Sequence, residues 1–179
     1  MKVIKEPEVP TSNGTTNEKF EINSPENQAK LAAAQEKFDK FQNNLTTKEY
    51  DLYLTAEQTT GMMETIFPKM NWKGYEAYAV SETYKTLNQL TNKKGEVKGG
   101  VKAEIAEAVF HFLKEFQGVG IEYAEMFKAI CDQFAMVINE INKDRQELRD
   151  LSLELISIEQ GIPVEDVVRN LQKDMQQQG

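Results

Sequence analysis

The chain has 179 residues, 40% of them hydrophobic and 28% charged, with a net charge of −8 at neutral pH. That is enough apolar material for one core but not for two, and a net acidic surface argues against non-specific binding to nucleic-acid phosphates. Cys131 is the only cysteine, which rules out an internal disulfide and any CxxC redox or zinc motif.

Residues 1–23 mix Pro, Thr, Asn, Gly and Glu without a helical period. They cannot bury enough apolar surface to offset the entropy of ordering, so a flexible N-terminal arm is expected. Its short apolar alternations, Val3-Ile4 and Phe20 with Ile22, suit a sheet edge or a groove on a neighbour.

A region of short helices is expected over 24–98. Ser24 followed by Pro25 has the form of a helix start, and Leu31, Ala34, Phe38, Phe41 and Leu45 then form one stripe. Thr46 with Glu49, and Thr55 with Gln58, both match a capping box. They predict a short helix near 47–54 and another near 56–67 that stops at Pro68. A further helix over about 72–91 should bury Val80, Tyr84 and Leu87, with Trp72, Tyr75 and Tyr78 clustered at its start as core or as a binding platform. It ends in NKKGEVKGG, where Gly95 suits a left-handed cap and Gly99-Gly100 marks a joint.

The strongest pattern follows, over 99–161. Alternating steps of three and four from Ala106 reach Ile158 through sixteen positions, and only Gly120 and Asp144 among them are neither apolar nor aromatic. Sustained heptads of this kind predict a long amphipathic helix packed along a partner helix. Unbroken from 101 to 160 it would measure about 90 Å, although Gly118 and Gly120 offer a place to kink or reverse. The expected fold is therefore all-α: a helical bundle with a long heptad-patterned C-terminal helix. Residues 162–179 should form a short closing helix, with Val164, Val167, Val168 and Leu171 on one side, and a frayed tail.

Phe127, Ile130, Phe134, Val137, Ile141, Leu148, Leu151, Leu155 and Ile158 make up the candidate interaction seam. A parallel self-pairing would oppose like charges at Glu154 and Glu159 and bury Asp144, so an antiparallel partner or the first helix of the same chain fits the seam better. Acidic charge also concentrates here. Residues 101–160 carry twelve acidic and six basic side chains, whereas 24–100 carry ten of each. Glu140, Glu147 and Glu154 form a possible acidic contact face.

Little else has the form of chemistry. Glu104, Glu107, His111 and Glu115 share one helix face, but a di-metal bundle needs Glu-x-x-His on two helices and His111 is the only histidine. The same count leaves no Ser/His/Asp or Cys/His set, and the glycines match neither phosphate-loop nor dinucleotide spacing. Cys131, on an apolar flank, reads as a small buried hydrophobe. No catalytic, cofactor-binding or metal residues are expected.

These features point to a non-catalytic structural or assembly protein, acting through helical contacts with itself or another protein and part of an oligomer or larger assembly. Flexible arms on helical bodies resemble accessory components of viral particles. The alternative is an acidic helical adaptor or regulator that docks on the basic surface of a nucleic-acid enzyme. The N-terminus has no apolar run of signal-peptide form, and no stretch reaches the ~20 apolar residues of a membrane span. A cytoplasmic or intracellular site, including the inside of a viral particle, is the expectation.

Overall fold

The computed structural model describes residues 24–69, 74, 76–117 and 120–177. The expected arm, together with Trp72, Tyr75 and Gly118, lies outside them. The described residues form an all-α body that carries one small two-stranded sheet.

Helix α1 spans Pro25–Thr47. Ser24 caps it, its hydroxyl oxygen accepting from the Asn27 amide at 3.2 Å. The stripe Leu31, Ala34, Phe38, Phe41 and Leu45 is half-buried along its whole length, yet no residue of α1 is fully buried. At its far end the hydroxyls of Thr46 and Thr47 donate back to the Asn43 and Asn44 carbonyls at 2.7 and 3.3 Å. They close α1 rather than open a new helix.

This is why the helix expected over 47–54 is absent. Glu49–Leu54 is instead strand β1. The run EYDLYL alternates strictly, with Tyr50, Leu52 and Leu54 buried and Glu49, Asp51 and Tyr53 facing out. It pairs antiparallel with β2, Val97–Lys102, and sets Tyr50 against Val101, Leu52 against Gly99 and Leu54 against Val97. The expected joint at Gly99-Gly100 is therefore the middle of a strand, and the glycines are there for clearance. A Cβ at Gly99 would stand 2.6 Å from Leu90 Cδ2, and one at Gly100 would stand 2.6 Å from the Glu49 side chain.

Between the strands, the Thr55–Gln58 capping box opens α2, Ala56–Thr60, with both reciprocal bonds made. The helix continues through a π-helical segment, Gly61–Ile66, into α3, Phe67–Lys69, so Pro68 falls inside the last turn rather than after it. Gly61 is the point where Met126 packs against bare backbone. Helix α4, Glu76–Leu90, buries Thr83 and Leu87, whereas Tyr84 stays 45% exposed. The apolar face is thus rotated away from the tyrosine that the sequence placed on it. Gly95, at φ 81°, turns the chain from α4 into β2.

The long helix expected over 99–161 is not one rod. Helix α5, Ala103–Glu115, starts directly from β2 and ends in extended backbone at Phe116. After a single 3₁₀ turn, Ile121–Tyr123, helix α6 runs from Ala124 to Gln160. The chain reverses between them. Phe116 and Phe127 stack with ring centroids 5.7 Å apart, and Arg145 forks onto both carboxylate oxygens of Glu107. Contacts that move outward from the turn on both helices define an antiparallel hairpin. The heptad phase survives the break because α5 and α6 turn their stripes toward the same core.

That core gathers Tyr50, Leu52, Leu54, Met62, Ile66, Leu87, Val97, Val101, Val109, Leu113 and the first half of α6. Packing of α1 extends α6 beyond it. Lys48, the C-cap of α1, pairs with Asp144 at 2.5 Å, and the chain then returns along the first half of α6 until Gly61 meets Met126. Helix α1 therefore lies antiparallel on the second half of α6. Gly161, at φ 63°, ends α6, with the Ile162 amide bonded to the Ser157 carbonyl at 3.2 Å in a left-handed cap. Helix α7, Val164–Gln177, follows and packs back on α6.

Candidate protein-interaction surfaces

The candidate seam divides into two parts. Ile130, Phe134, Val137 and Ile141 are at most 3% exposed and belong to the central core. Leu151 and Leu155 are also buried, at 6% and 8%. They lie on the half of α6 that α1 covers. Phe127, Leu148 and Ile158 are half-buried. The seam is thus largely filled by elements of the same chain that pack on α6, among them β1, α5, α1 and α7, and only its margins stay half-exposed.

Asp144, the charged break in the seam, is neutralised by residues outside α6. It accepts from the Tyr50 hydroxyl at 2.8 Å as well as from Lys48. Burial works to raise the Asp144 carboxyl, but these two hydrogen bonds and the Lys48 charge outweigh it and hold the group below the usual carboxylate range. Tyr50 is pushed the other way, up to about 12, first by burial and then by its bond to the Asp144 carboxylate. The neighbouring Arg145 is engaged by Glu107 instead.

Glu140, Glu147 and Glu154 are all exposed and recur every seven residues on α6, so they form an acidic row beside the seam. None has an ion pair within 4 Å among the described residues. The polar stripe of α5 does not converge on a site. Glu107 is taken by Arg145, and the exposed His111 stands 3.5 Å from Glu115 on its own helix. Among the described residues, no group of three or more His, Cys, Asp or Glu is placed to hold a metal ion. Cys131 is half-buried, and burial, then the Asp132 charge, raises its thiol.

The open apolar surface lies elsewhere. On α7 only Val167 is fully buried, at 2% exposed. Val164, Leu171 and Met175 remain 37%, 44% and 77% exposed and join the half-buried Val168 on one stripe at four-, three- and four-residue steps. The sequence displayed this face as far as Leu171. Met175, the last residue of the expected closing helix before the frayed QQQG ending, was left out of that face although it continues the step of four. A second apolar area, an open groove lined by Met63, Phe67, Pro68, Val80 and Tyr84, lies between the π-helical segment and α4. Ile121, 91% exposed, stands at the α5–α6 turn.

No family model, no curated protein sequence and no solved structure matches the chain. Among the described residues no helix is long and apolar enough to cross a membrane.

Proposed function

We propose that the chain is a non-catalytic assembly protein that works through helical protein–protein contacts, with the open face of α7 as the contact strip. The observation that carries this reading is the row Val164, Val168, Leu171 and Met175, an amphipathic stripe beside the fully buried Val167, with Val168 half-buried and the other three exposed. Such a stripe fits the helix-in-groove mode of recognition, in which anchors at helical spacing enter a complementary surface. The setting we assign is an accessory position in a larger assembly such as a viral particle, by analogy of architecture.

Light scattering on the full chain at low and high salt tests this. A discrete salt-resistant oligomer that Leu171→Asp reduces to monomer is the expected result. A monomer at every salt and concentration would remove self-assembly from the proposal. A partner then has to be another protein, whose retention must also fail with Leu171→Asp.

The acidic row supports a second reading, an adaptor that docks on a basic surface. It predicts binding that weakens steeply with salt and is lost when Glu140, Glu147 and Glu154 are changed to Lys. Binding that survives those changes but not Leu171→Asp would decide for the apolar strip.

A further inference from the structure

The open face of α7 and the groove between the π-helical segment and α4 stand at opposite ends of α6. The groove has a volume of about 520 Å³, with Phe67 buried at its base, Met63 and Val80 half-buried, and Tyr84 exposed on its rim. It belongs to the beginning of α6, because Gly61 meets Met126, and Ile66 and Lys69 line one cleft with Tyr123 and Phe127. Helix α7 follows Gly161 at the other end. From Met126 to Gln160 α6 rises about 51 Å, and the 14 residues of α7 extend about 21 Å. Folded straight back along α6, the tip of α7 still stops about 30 Å short of Met126. The strip and the groove of one chain therefore do not meet.

We propose that α7 of one copy seats in the groove of the next, a head-to-tail contact between copies of this chain. It rests on α7 being the contact strip and names the partner of that strip. From Arg169 to Gln176 every side chain of α7 is exposed, so this half of the helix is open all round and free to enter a groove walled by two other helices. Leu171 and Met175, with Val168 behind them, are the anchors. Charge agrees with this occupant. Lys85 is the one charged residue of the groove lining among the described residues, and the exposed Lys69 follows Pro68 at the groove's end. The stripe of α7 is flanked by Glu165 on one side and Asp174 on the other, whereas Asp166, on the far side, is taken by Arg169 at 2.8 Å. A strip that meets a different surface leaves each copy with one of the two still free. Such a contact builds a ring or an open chain of copies, not a two-fold pair.

Complementation between two variants of the full chain tests this. Leu171→Asp spoils the strip and leaves the groove intact, whereas Ala77→Asp/Ser81→Asp sets two carboxylates in the groove and leaves the strip intact. All three positions are exposed, so the body has no reason to unfold. Light scattering, at a concentration where the wild-type chain assembles, should find each variant monomeric alone. Their equimolar mixture should double in mass and stop there, because one contact per pair survives, while the wild type passes the dimer. Recovery in the mixture also shows that both variants are folded. A groove variant that assembles alone as the wild type does would overturn the proposal, since α7 would then be pairing with α7. So would a mixture that stays monomeric. A monomeric wild type overturns it too, while the strip as a contact for another protein still stands if Leu171→Asp abolishes retention of that protein.

Discussion

The most exacting prediction concerns Asp144, the one charge in the apolar stripe of α6. Its side chain is 15% exposed and holds two partners of different kinds, the buried Tyr50 hydroxyl at 2.8 Å and the 43% exposed Lys48 at 2.5 Å. A hydrogen bond to a charged group in a half-buried site contributes about 1.5–3 kcal/mol, whereas an ion pair with so exposed a lysine contributes less than about 1 kcal/mol. Asp144→Ala should therefore cost about 2–3 kcal/mol, Tyr50→Phe about 1.5, and Lys48→Met about 0.5. The Tyr50/Asp144 double variant should fall short of additivity by about 1–2 kcal/mol. Guanidinium unfolding at neutral pH, read as midpoint shifts at constant slope, measures all four. Because the native carboxyl titrates below its ordinary value of 3.8, its contribution is present above that pH and is lost as pH falls through the lower native value. The gap between wild type and Asp144→Ala should accordingly narrow below about pH 4. Lys48→Met costing as much as Asp144→Ala, or a fully additive Tyr50/Asp144 pair, would refute the reasoning.

Other expectations follow from single sites. One of the chain's six tyrosines should ionise only near 12 in a phenolate-absorbance titration, and Tyr50→Phe should remove that step. Because that value is raised, the Tyr50 contribution is intact below pH 10 and is lost as pH climbs toward 12. Gly99→Ala should cost about 1–3 kcal/mol in thermal unfolding, since its Cβ meets Leu90 at 2.6 Å and the Leu90 side chain must move. Gly161→Ala, at φ 63°, should cost about 1 kcal/mol and fray the end of α6, visible as lost helicity. Cys131 should react with a thiol reagent about tenfold more slowly in the native chain than in denaturant.

What the sequence revealed divides along local and long-range lines. Ser24-Pro25, the Thr55–Gln58 box and Gly161 mark helix ends through bonds made within five residues, and each works as read. The sheet was missed because its one local signal, the alternation of EYDLYL, was overridden by a capping-box pattern. VKGGVK has the composition of a linker, and EYDLYL is six residues long and follows a Thr-x-x-Glu that imitates a helix start. Each becomes a strand only by pairing across the whole of α2 to α4. The step through Gly120 misled for another reason. Three-and-four spacing records which side faces the core, and two antiparallel helices on one core keep that record as well as a rod does. For the candidate surfaces, the seam residues were identifiable as apolar, but their occupant was not. That depended on where α1 lies, which a chain reading alone cannot fix.

The pairing of α1 with the far half of α6 also bears on how the protein comes into being. Lys48 and Asp144 are 96 residues apart, so at ~5–20 residues per second a ribosome finishes α1 about 5–20 s before the helix it lies on exists. During that interval Leu31, Phe38, Phe41 and Leu45 have no native surface to meet, and β1 likewise awaits β2. The nascent chain cannot lock its N-terminal half first, as a vectorially folding protein does. It must hold an amphipathic helix in suspense and close the structure from the C-terminal end, so α6, the last long helix to be made, is the template that sets the order of folding.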